Sequence, residues 1–175
     1  MDGHTPVETL DMNSVVSRRA WNAVDPRDKA AMKSPAHTVV VHHTALPQPR
    51  DIVPQLAHIQ RMHMQERGFD DIGYNFLISG DGVVYEGRGW GIVGAHAKDH
   101  NSYSVGIALM GNFNDELPSS ASLLALLRLL HTGVLHGHVR PNFELIGHRD
   151  VAKTECPGEH LYSQLPKLRE QLQNL

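Results

Sequence analysis

The chain has 175 residues, 41% of them hydrophobic, and its 16 basic and 19 acidic side chains give a formal net charge of −3. A chain of this size can bury one sizeable core, which predicts one globular domain. The slightly acidic balance excludes the one-sided basic surface that nucleic-acid phosphates require, so we expect no nucleic-acid partner.

The apolar segments are too short to span a membrane. The longest run, residues 123–130, is interrupted by Arg128 and falls well below the roughly 18 residues that a spanning helix needs. Residues 1–20 contain acidic side chains and no apolar stretch of signal-peptide length. We therefore expect no membrane partner and no cleavable secretory signal in the sequence as written.

The first 35 residues differ from the rest of the chain. They are polar and are interrupted by Pro26 and Pro35. This composition predicts an irregular N-terminal segment, residues 1–35, packed on a domain formed by residues 36–175.

The domain begins with a β-branched run, residues 38–41, which predicts a strand buried on both faces. The strand delivers His42 and His43 at its C-terminal end. Apolar residues at helical spacing between Ile52 and Met62 then predict an amphipathic helix that ends at Gly68, a typical helix terminator.

Further along the chain, strand-like and helical patterns continue to alternate. Residues 74–79 and 83–85 flank a Gly-Asp-Gly turn and predict a hairpin. Residues 105–110 predict a buried strand and residues 119–135 a largely buried helix. A last strand through Leu145 and Ile146 precedes one closing helix, which begins after Pro157 and Gly158 and includes residues 161–172. This interleaving predicts an α/β fold.

Two segments collect the residues that could carry chemistry. Residues 42–44 read His-His-Thr after the first predicted strand, and residues 147–158 contain His148 and Cys156 after the last one. In α/β sheets, ligand-binding groups usually gather at the strand ends. Two imidazoles and a thiolate would form a three-ligand site that suits zinc and leaves a fourth position open.

Spacing alone leaves other interpretations open. Cys156 is the only cysteine, so an intrachain disulfide is excluded, and it lies eight residues after His148, a wider gap than in zinc fingers. A buried thiol beside a hydrogen-bonded histidine is the more common arrangement. A cysteine–histidine hydrolase, whose thiolate attacks an amide directly, is a third interpretation.

Short motifs along the chain resemble one family, the animal peptidoglycan recognition proteins and the related phage and bacterial type 2 amidases. The similarity extends from residue 16 to residue 168. The matching blocks, in order, are residues 41–44, 71–78, 81–82, 84–90, 94–96, 106–107, 111–113, 147–151 and 154–158. So many ordered blocks exclude chance and imply the family's fold, a central mixed β-sheet flanked by helices.

The resemblance implies a zinc-dependent N-acetylmuramoyl-L-alanine amidase in antibacterial innate immunity. His42, His148 and Cys156 match the family's zinc ligands, and Tyr74 and Thr154 match its two catalytic positions. Family members that only bind peptidoglycan often lack the cysteine. Its presence here favours an enzyme over the alternative, a non-catalytic pattern-recognition protein.

The ligand implied by the resemblance is bacterial peptidoglycan or a muramyl peptide, cut between the lactyl group of N-acetylmuramic acid and L-alanine. Gly68, Phe69 and Arg88 match positions that govern the preference for diaminopimelate over lysine. A guanidinium fork suits the additional carboxylate of diaminopimelate, although Phe69 replaces the tryptophan usual in members with that preference. The matches to further groove positions are His63, His96 and Asn101.

One family feature is missing. Secreted animal members usually carry a disulfide in the loop after the His-His-Thr element, whereas residues 45–52 contain no cysteine. A disulfide is useful only under oxidising conditions. Together with the missing signal, this predicts an intracellular or unconventionally secreted protein that could still act outside the cell.

Overall fold

The computed structural model describes residues 7–174 and contains a five-stranded mixed sheet flanked by helices. The strands are β1 (Ala36–His43), β2 (Phe76–Ile78), β3 (Val84–Glu86), β4 (Ser104–Leu109) and β5 (Val139–Gly147). The helices are α1 (Ile52–Arg61), α2 (Ser120–Leu135), α3 (Glu159–Tyr162) and α4 (Leu165–Gln173). The predicted α/β class is confirmed.

The order of strands in the sheet is β3-β2-β4-β1-β5. Strand β1 lies between β4 and β5 and runs parallel to both, and β2 is parallel to β4, whereas β3 is antiparallel to β2. The C-terminal ends of β1, β4 and β5 therefore meet at one edge of the sheet. Among residues 7–174, no helix is both long and apolar enough to cross a membrane.

The two faces of the sheet pack on different apolar clusters. Val39 and Val41 of β1 belong to the larger cluster, which includes Leu126 of α2. The opposite cluster contains Leu56 of α1 and Trp21 of the N-terminal segment. Successive side chains of a strand point to opposite faces, so β1 contributes alternately to both layers. We name these two sides of the sheet the α2 face and the α1 face.

The predicted helix and hairpin in the first half of the domain are confirmed. Helix α1 continues into a π-helical turn, Met62–Glu66, and Gly68 follows with φ +71°, a conformation that favours glycine. Strands β2 and β3 form the hairpin, in which Phe76 pairs with Glu86 and Ile78 with Val84.

The single closing helix predicted after Gly158 is wrong, because the structure has two short helices there. Helix α3 ends at Tyr162, and α4 begins at Leu165 with Pro166 in its first turn. Proline has no backbone N–H, and its ring clashes with the carbonyl four residues earlier, so a continuous helix cannot pass through this position.

The described part of the N-terminal segment, residues 7–35, lies against the domain, and residues 1–6 lie outside the described residues. Isolated bridges join Val16 to Tyr85 and Ala31 to Ile92. A 2.7 Å ion pair also joins Arg18 to the buried Asp71. The boundary at residue 35 stays a prediction.

Candidate metal centre and binding groove

The sheet edge brings together three residues that are distant in sequence. His42 is the second-to-last residue of β1, and His148 follows β5 in a 3-10 helical turn. Because these strands are parallel neighbours, both histidines emerge at the same edge. The loop after His148 returns Cys156 to this point, and the backbone N–H of Arg149 donates to the carbonyl of Cys156 at 2.8 Å.

The donor atoms of His42, His148 and Cys156 lie within 4.8 Å of one another. The Cys156 Sγ atom is 3.6 Å from the His42 Nδ1 atom. Bonds of about 2.3 Å to sulfur and about 2.0 Å to nitrogen, at a tetrahedral angle, would separate those two atoms by about 3.5 Å. The donor set and this spacing therefore fit a tetrahedral zinc site.

The protonation of these groups also fits a metal site. Burial, followed by the nearby His96 and His148, lowers the pKa of His42 well below its ordinary value, and burial lowers the pKa of His148. Both imidazoles are therefore neutral at pH 7 and have a free lone pair. Burial raises the pKa of the Cys156 thiol to about 11, so ionisation at neutral pH requires a cation beside the sulfur.

The side chain of the adjacent His43 takes no part in this cluster. Its side chain points to the α2 face, where its Nδ1 atom accepts a hydrogen bond from the backbone N–H of Phe113 at 3.1 Å. The alternation of β1 thus separates two neighbouring histidines, and only His42 faces Cys156.

Tyr74 and Thr154 lie beside the cluster. The ring centroid of Tyr74 is 5.3 Å from that of His42. Burial and then the nearby Cys156 raise the pKa of Tyr74, which keeps its phenolic proton at neutral pH. The Oγ1 atom of the exposed Thr154 accepts a hydrogen bond from the backbone N–H of Cys156 at 3.2 Å, so the threonine O–H can donate elsewhere.

Arg149 supports the loop that carries Cys156, a role that the sequence interpretation missed. Its guanidinium donates to the carbonyl of Glu155 at 2.7 Å and to the carboxylate of Glu159 at 2.8 Å. It also lies 4.4 Å above the ring of Tyr162. The available signal was an arginine next to a proposed ligand, because such residues often hold the ligand loop in place.

Gly68, Phe69 and Arg88 are brought together at a second location. They line an open cavity of about 330 Å³ with Asp28 and Lys29 of the N-terminal segment. The sequence interpretation missed these last two residues because no local pattern links residues 28–29 to a groove formed by residues 68–95.

Arg88 is anchored in this cavity by main-chain groups. Its Nε atom donates to the carbonyl of Ile72 at 2.8 Å, and its Nη1 atom donates to the carbonyl of Val93 at 3.0 Å. These two bonds hold the guanidinium plane in place and leave Nη2 without a hydrogen-bond partner among the described residues. Anchoring of this kind makes the arginine available to an anionic ligand at little cost in side-chain entropy.

His63 lies between the two locations. Its ring centroid is 5.5 Å from those of both Phe69 and Tyr74, so a row of rings connects the cavity to His42. The Nδ1 atom of His63 accepts a hydrogen bond from the backbone N–H of Gly73 at 2.8 Å. Burial lowers the pKa of His63 to about 4, so its ring is neutral at pH 7 and bears its proton on Nε2.

His96 and Asn101 are placed behind the metal cluster. His96 is only 8% exposed, and its Nδ1 atom lies 2.9 Å from the Nε2 atom of His42. The Oδ1 atom of Asn101 accepts hydrogen bonds at 2.9 Å from the backbone N–H groups of His96 and Ala97. Contact of either residue with a ligand stays a prediction. In the structure, His96 contacts His42 directly, and Asn101 holds the backbone of His96.

The structure thus combines a mixed α/β sheet with a cluster of two histidines and one cysteine that could hold a metal ion at one edge of that sheet. The sequence profile of the family described as N-acetylmuramoyl-L-alanine amidase matches residues 32–159. Peptidoglycan recognition protein 1 of Bos taurus is 42% identical over 156 residues, which cover 87% of this chain and 82% of that protein.

Two further proteins agree with this match. The N-acetylmuramoyl-L-alanine amidase of Sus scrofa is 42% identical over 163 residues, which cover 89% of this chain and 27% of that protein. The solved structure of peptidoglycan recognition protein-LE, in complex with tracheal cytotoxin, has a TM-score of 0.86 and 37% identity, covering 89% of this chain and 94% of that chain. The chain therefore belongs to the peptidoglycan recognition protein family of amidase-type domains.

Proposed function

We propose that this protein is a zinc-dependent N-acetylmuramoyl-L-alanine amidase that binds peptidoglycan and hydrolyses the amide between the lactyl group and L-alanine. The observation that carries the proposal is the convergence of the donor atoms of His42, His148 and Cys156 within 4.8 Å. Membership of the amidase family supports the reaction class, and the presence of the thiol among the donors supports the dependence on zinc.

The side chains around the cluster have distinct roles in the proposed reaction. His42, His148 and Cys156 would hold zinc, which supplies Lewis-acid polarisation of the scissile carbonyl and lowers the pKa of water to about 7. Tyr74, still protonated, donates a hydrogen bond to the carbonyl oxygen as negative charge develops there, an effect often worth about 3 kcal/mol. Thr154 orients the attacking water with its free O–H.

The high pKa of the thiol argues against a metal-free cysteine hydrolase. Burial raises the pKa of Cys156 to about 11, and its imidazole neighbour His42 is neutral. A nucleophilic cysteine needs a lowered pKa, usually from a nearby imidazolium or another cation. At neutral pH a thiolate at this position therefore needs an added positive charge, such as that of a bound metal ion, to stabilise it.

The cavity that Arg88 lines supports a diaminopimelate-type stem peptide as the preferred ligand. Peptidoglycan recognition protein-LE was solved with tracheal cytotoxin, a monomeric peptidoglycan of the diaminopimelic acid type. In this chain, Arg88 lines the cavity, and its Nη2 atom has no hydrogen-bond partner within residues 7–174. A diaminopimelate residue offers that guanidinium a carboxylate that a lysine residue lacks.

The proposal is tested with zinc-loaded protein and two muramyl tripeptides, one with diaminopimelate and one with lysine at the third position. We expect release of the free tripeptide, detected by mass, with faster cleavage of the diaminopimelate form. Removal of zinc with a chelator should stop the reaction, and added zinc should restore it. Tight binding without cleavage would instead identify a recognition protein, and chelator-resistant cleavage that alkylation stops would identify a cysteine hydrolase.

The Tyr74→Phe variant tests the assigned role of the phenol. We expect kcat to fall by about 10²- to 10³-fold, because one donor to the developing oxyanion is removed. Zinc affinity, measured by competition with a chromogenic chelator, should be unchanged. An unchanged kcat would show that Tyr74 is only a wall of the groove.

A further inference from the structure

His96 forms part of a buried chain of hydrogen bonds that begins at the candidate metal ligand His42. The Nε2 atom of His42 lies 2.9 Å from the Nδ1 atom of His96, and the Nε2 atom of His96 lies 3.3 Å from the Oγ atom of Ser104. Ser104 is fully buried, and its hydroxyl donates to the carbonyl of His100 at 2.7 Å. The chain therefore ends at a main-chain oxygen.

The direction of every proton in this chain follows from that end. A carbonyl oxygen can only accept, so the single hydroxyl proton of Ser104 points to His100, and the serine oxygen must accept from His96. His96 then bears its proton on Nε2 and presents a lone pair at Nδ1. That lone pair accepts the Nε2–H of His42, which leaves the lone pair of His42 on Nδ1.

The Nδ1 atom of His42 is the one that faces the cluster, 3.6 Å from the sulfur of Cys156. The chain thus selects the tautomer of His42 that can bind a metal ion from this side. In metal sites of known proteins, a partner at the second ring nitrogen holds the ligand in one tautomer and orientation. Ser104 and His96 together provide that partner here.

Two glycines make room for the ring of His96. A Cβ atom at Gly106 would lie 2.3 Å from the ring carbon Cγ of His96, and a Cβ atom at Gly94 would lie 2.7 Å from its Cδ2 atom. Neither glycine has a positive φ, which would be another reason for glycine at these positions. Glycine is needed at both positions because a side chain there would collide with the buried ring of His96.

We propose that His96 is a positioning residue that holds His42 in its Nδ1-donor tautomer, rather than a wall of the ligand groove. This inference rests on the proposed zinc site. It predicts that zinc affinity depends on a hydrogen-bond acceptor at position 96 and on no other property of that side chain.

The first test requires no variant. Long-range ¹H–¹⁵N correlation spectra of the zinc-free protein report which ring nitrogen of each histidine bears the proton. We expect His42 and His96 both to show the Nε2–H pattern. A proton on Nδ1 of His42 would overturn the inference.

The second test measures zinc affinity by competition with a chromogenic chelator. His96→Leu should weaken binding by about 10- to 100-fold, the usual effect of losing such a partner. His96→Asn, whose Oδ1 atom can take the place of the ring Nδ1 atom, should recover most of the affinity. Thr132→Val is the matched control, because Thr132 is buried in α2 on the other face of the sheet and should leave zinc affinity unchanged.

The outcomes separate this inference from the function on which it rests. If the His96→Leu variant bound zinc as tightly as the wild-type protein, the inference alone would be overturned. A wild-type protein that binds no zinc would overturn both the inference and the proposed amidase. Loss of affinity in both the leucine and asparagine variants would also overturn it, since the role would then be one of packing.

Discussion

The two faces of the central sheet have different interiors. The α2 face packs on an apolar cluster that includes Leu126, Leu129 and Leu130, all fully buried. The α1 face has a smaller apolar cluster, and the buried polar side chains His42 and His96 lie beside it. Buried polar groups need a partner for every hydrogen-bonding atom, so they are expensive to place. The α2 face, with its large apolar cluster, provides stability, while the α1 face carries the candidate chemistry.

Strand β1 shows the same division within two adjacent residues. His42 lies on the α1 face, next to Cys156, while His43 lies on the α2 face, next to Phe113. Because the division follows the alternation of the strand, substitutions on the two faces should affect different measurements. The following predictions use that separation.

The largest effect is expected for Cys156→Ser, beside His42 on the α1 face. A serine hydroxyl is a poor zinc ligand, so the variant should lose zinc and its cleavage of muramyl peptide should fall to the background rate. Binding of the uncut peptide, measured by calorimetry, should persist because the cavity around Arg88 is intact. Residual zinc-dependent cleavage would show that the sulfur is not a ligand.

On the α2 face, Leu126→Ala should lower the free energy of unfolding by about 2–5 kcal/mol, because it removes a fully buried side chain. Urea unfolding would measure this loss. Leu124→Ala provides the matched control on the same helix, since Leu124 is 41% exposed and should cost much less. Zinc affinity of the folded Leu126→Ala variant should equal that of wild type, and a change would contradict the separation of the faces.

Acid should destabilise the protein through His63. Its folded-state pKa is about 4 and its ordinary value is 6.5, so between these pH values the unfolded chain binds the proton more readily. Stability is therefore present above pH 6.5 and is lost as the pH falls toward 4, by about 3 kcal/mol for this group.

Urea unfolding as a function of pH checks this effect with two variants. His63→Gln should flatten the decline between pH 6.5 and 4. His58→Gln, at an exposed position of α1, is the matched control. Equal pH profiles for wild type and His63→Gln would contradict the assigned cause.

The smallest effect is expected in the cavity at the other end of the groove. Arg88→Lys keeps the charge but loses the fork, so the ratio of kcat/KM for diaminopimelate over lysine peptides should fall by about tenfold. Arg140→Lys, at an exposed position of β5, should leave that ratio unchanged. If Arg88→Lys kept the full ratio, the preference would have to come from another residue.

Local sequence signals predicted most of the fold. The β-branched run before His42, the Gly-Asp-Gly turn and the glycine after α1 each have a direct physical meaning, and each marked its element correctly. The break between α3 and α4 was also visible, because Pro166 fits the first turn of a helix but not its interior. It was missed because the leucine spacing continues across the break.

The candidate site was less accessible to such signals. Asp28 and Lys29 line the cavity with Arg88, although about 60 residues separate them in the sequence. The supporting role of His96 was missed as well, because a histidine in a groove motif and a histidine behind a metal ligand look the same in the sequence.

The sequence by itself determined the family, the order along the chain of the strands and of all helices but the last two, and which residues could serve as metal donors, because motifs and periodicity are local properties. Only the tertiary structure decided that His42 and not His43 faces Cys156, and that His96 supports His42 from behind. Those outcomes depend on the direction of each side chain from its strand and on the space left by Gly94 and Gly106. Both arise when distant segments pack together.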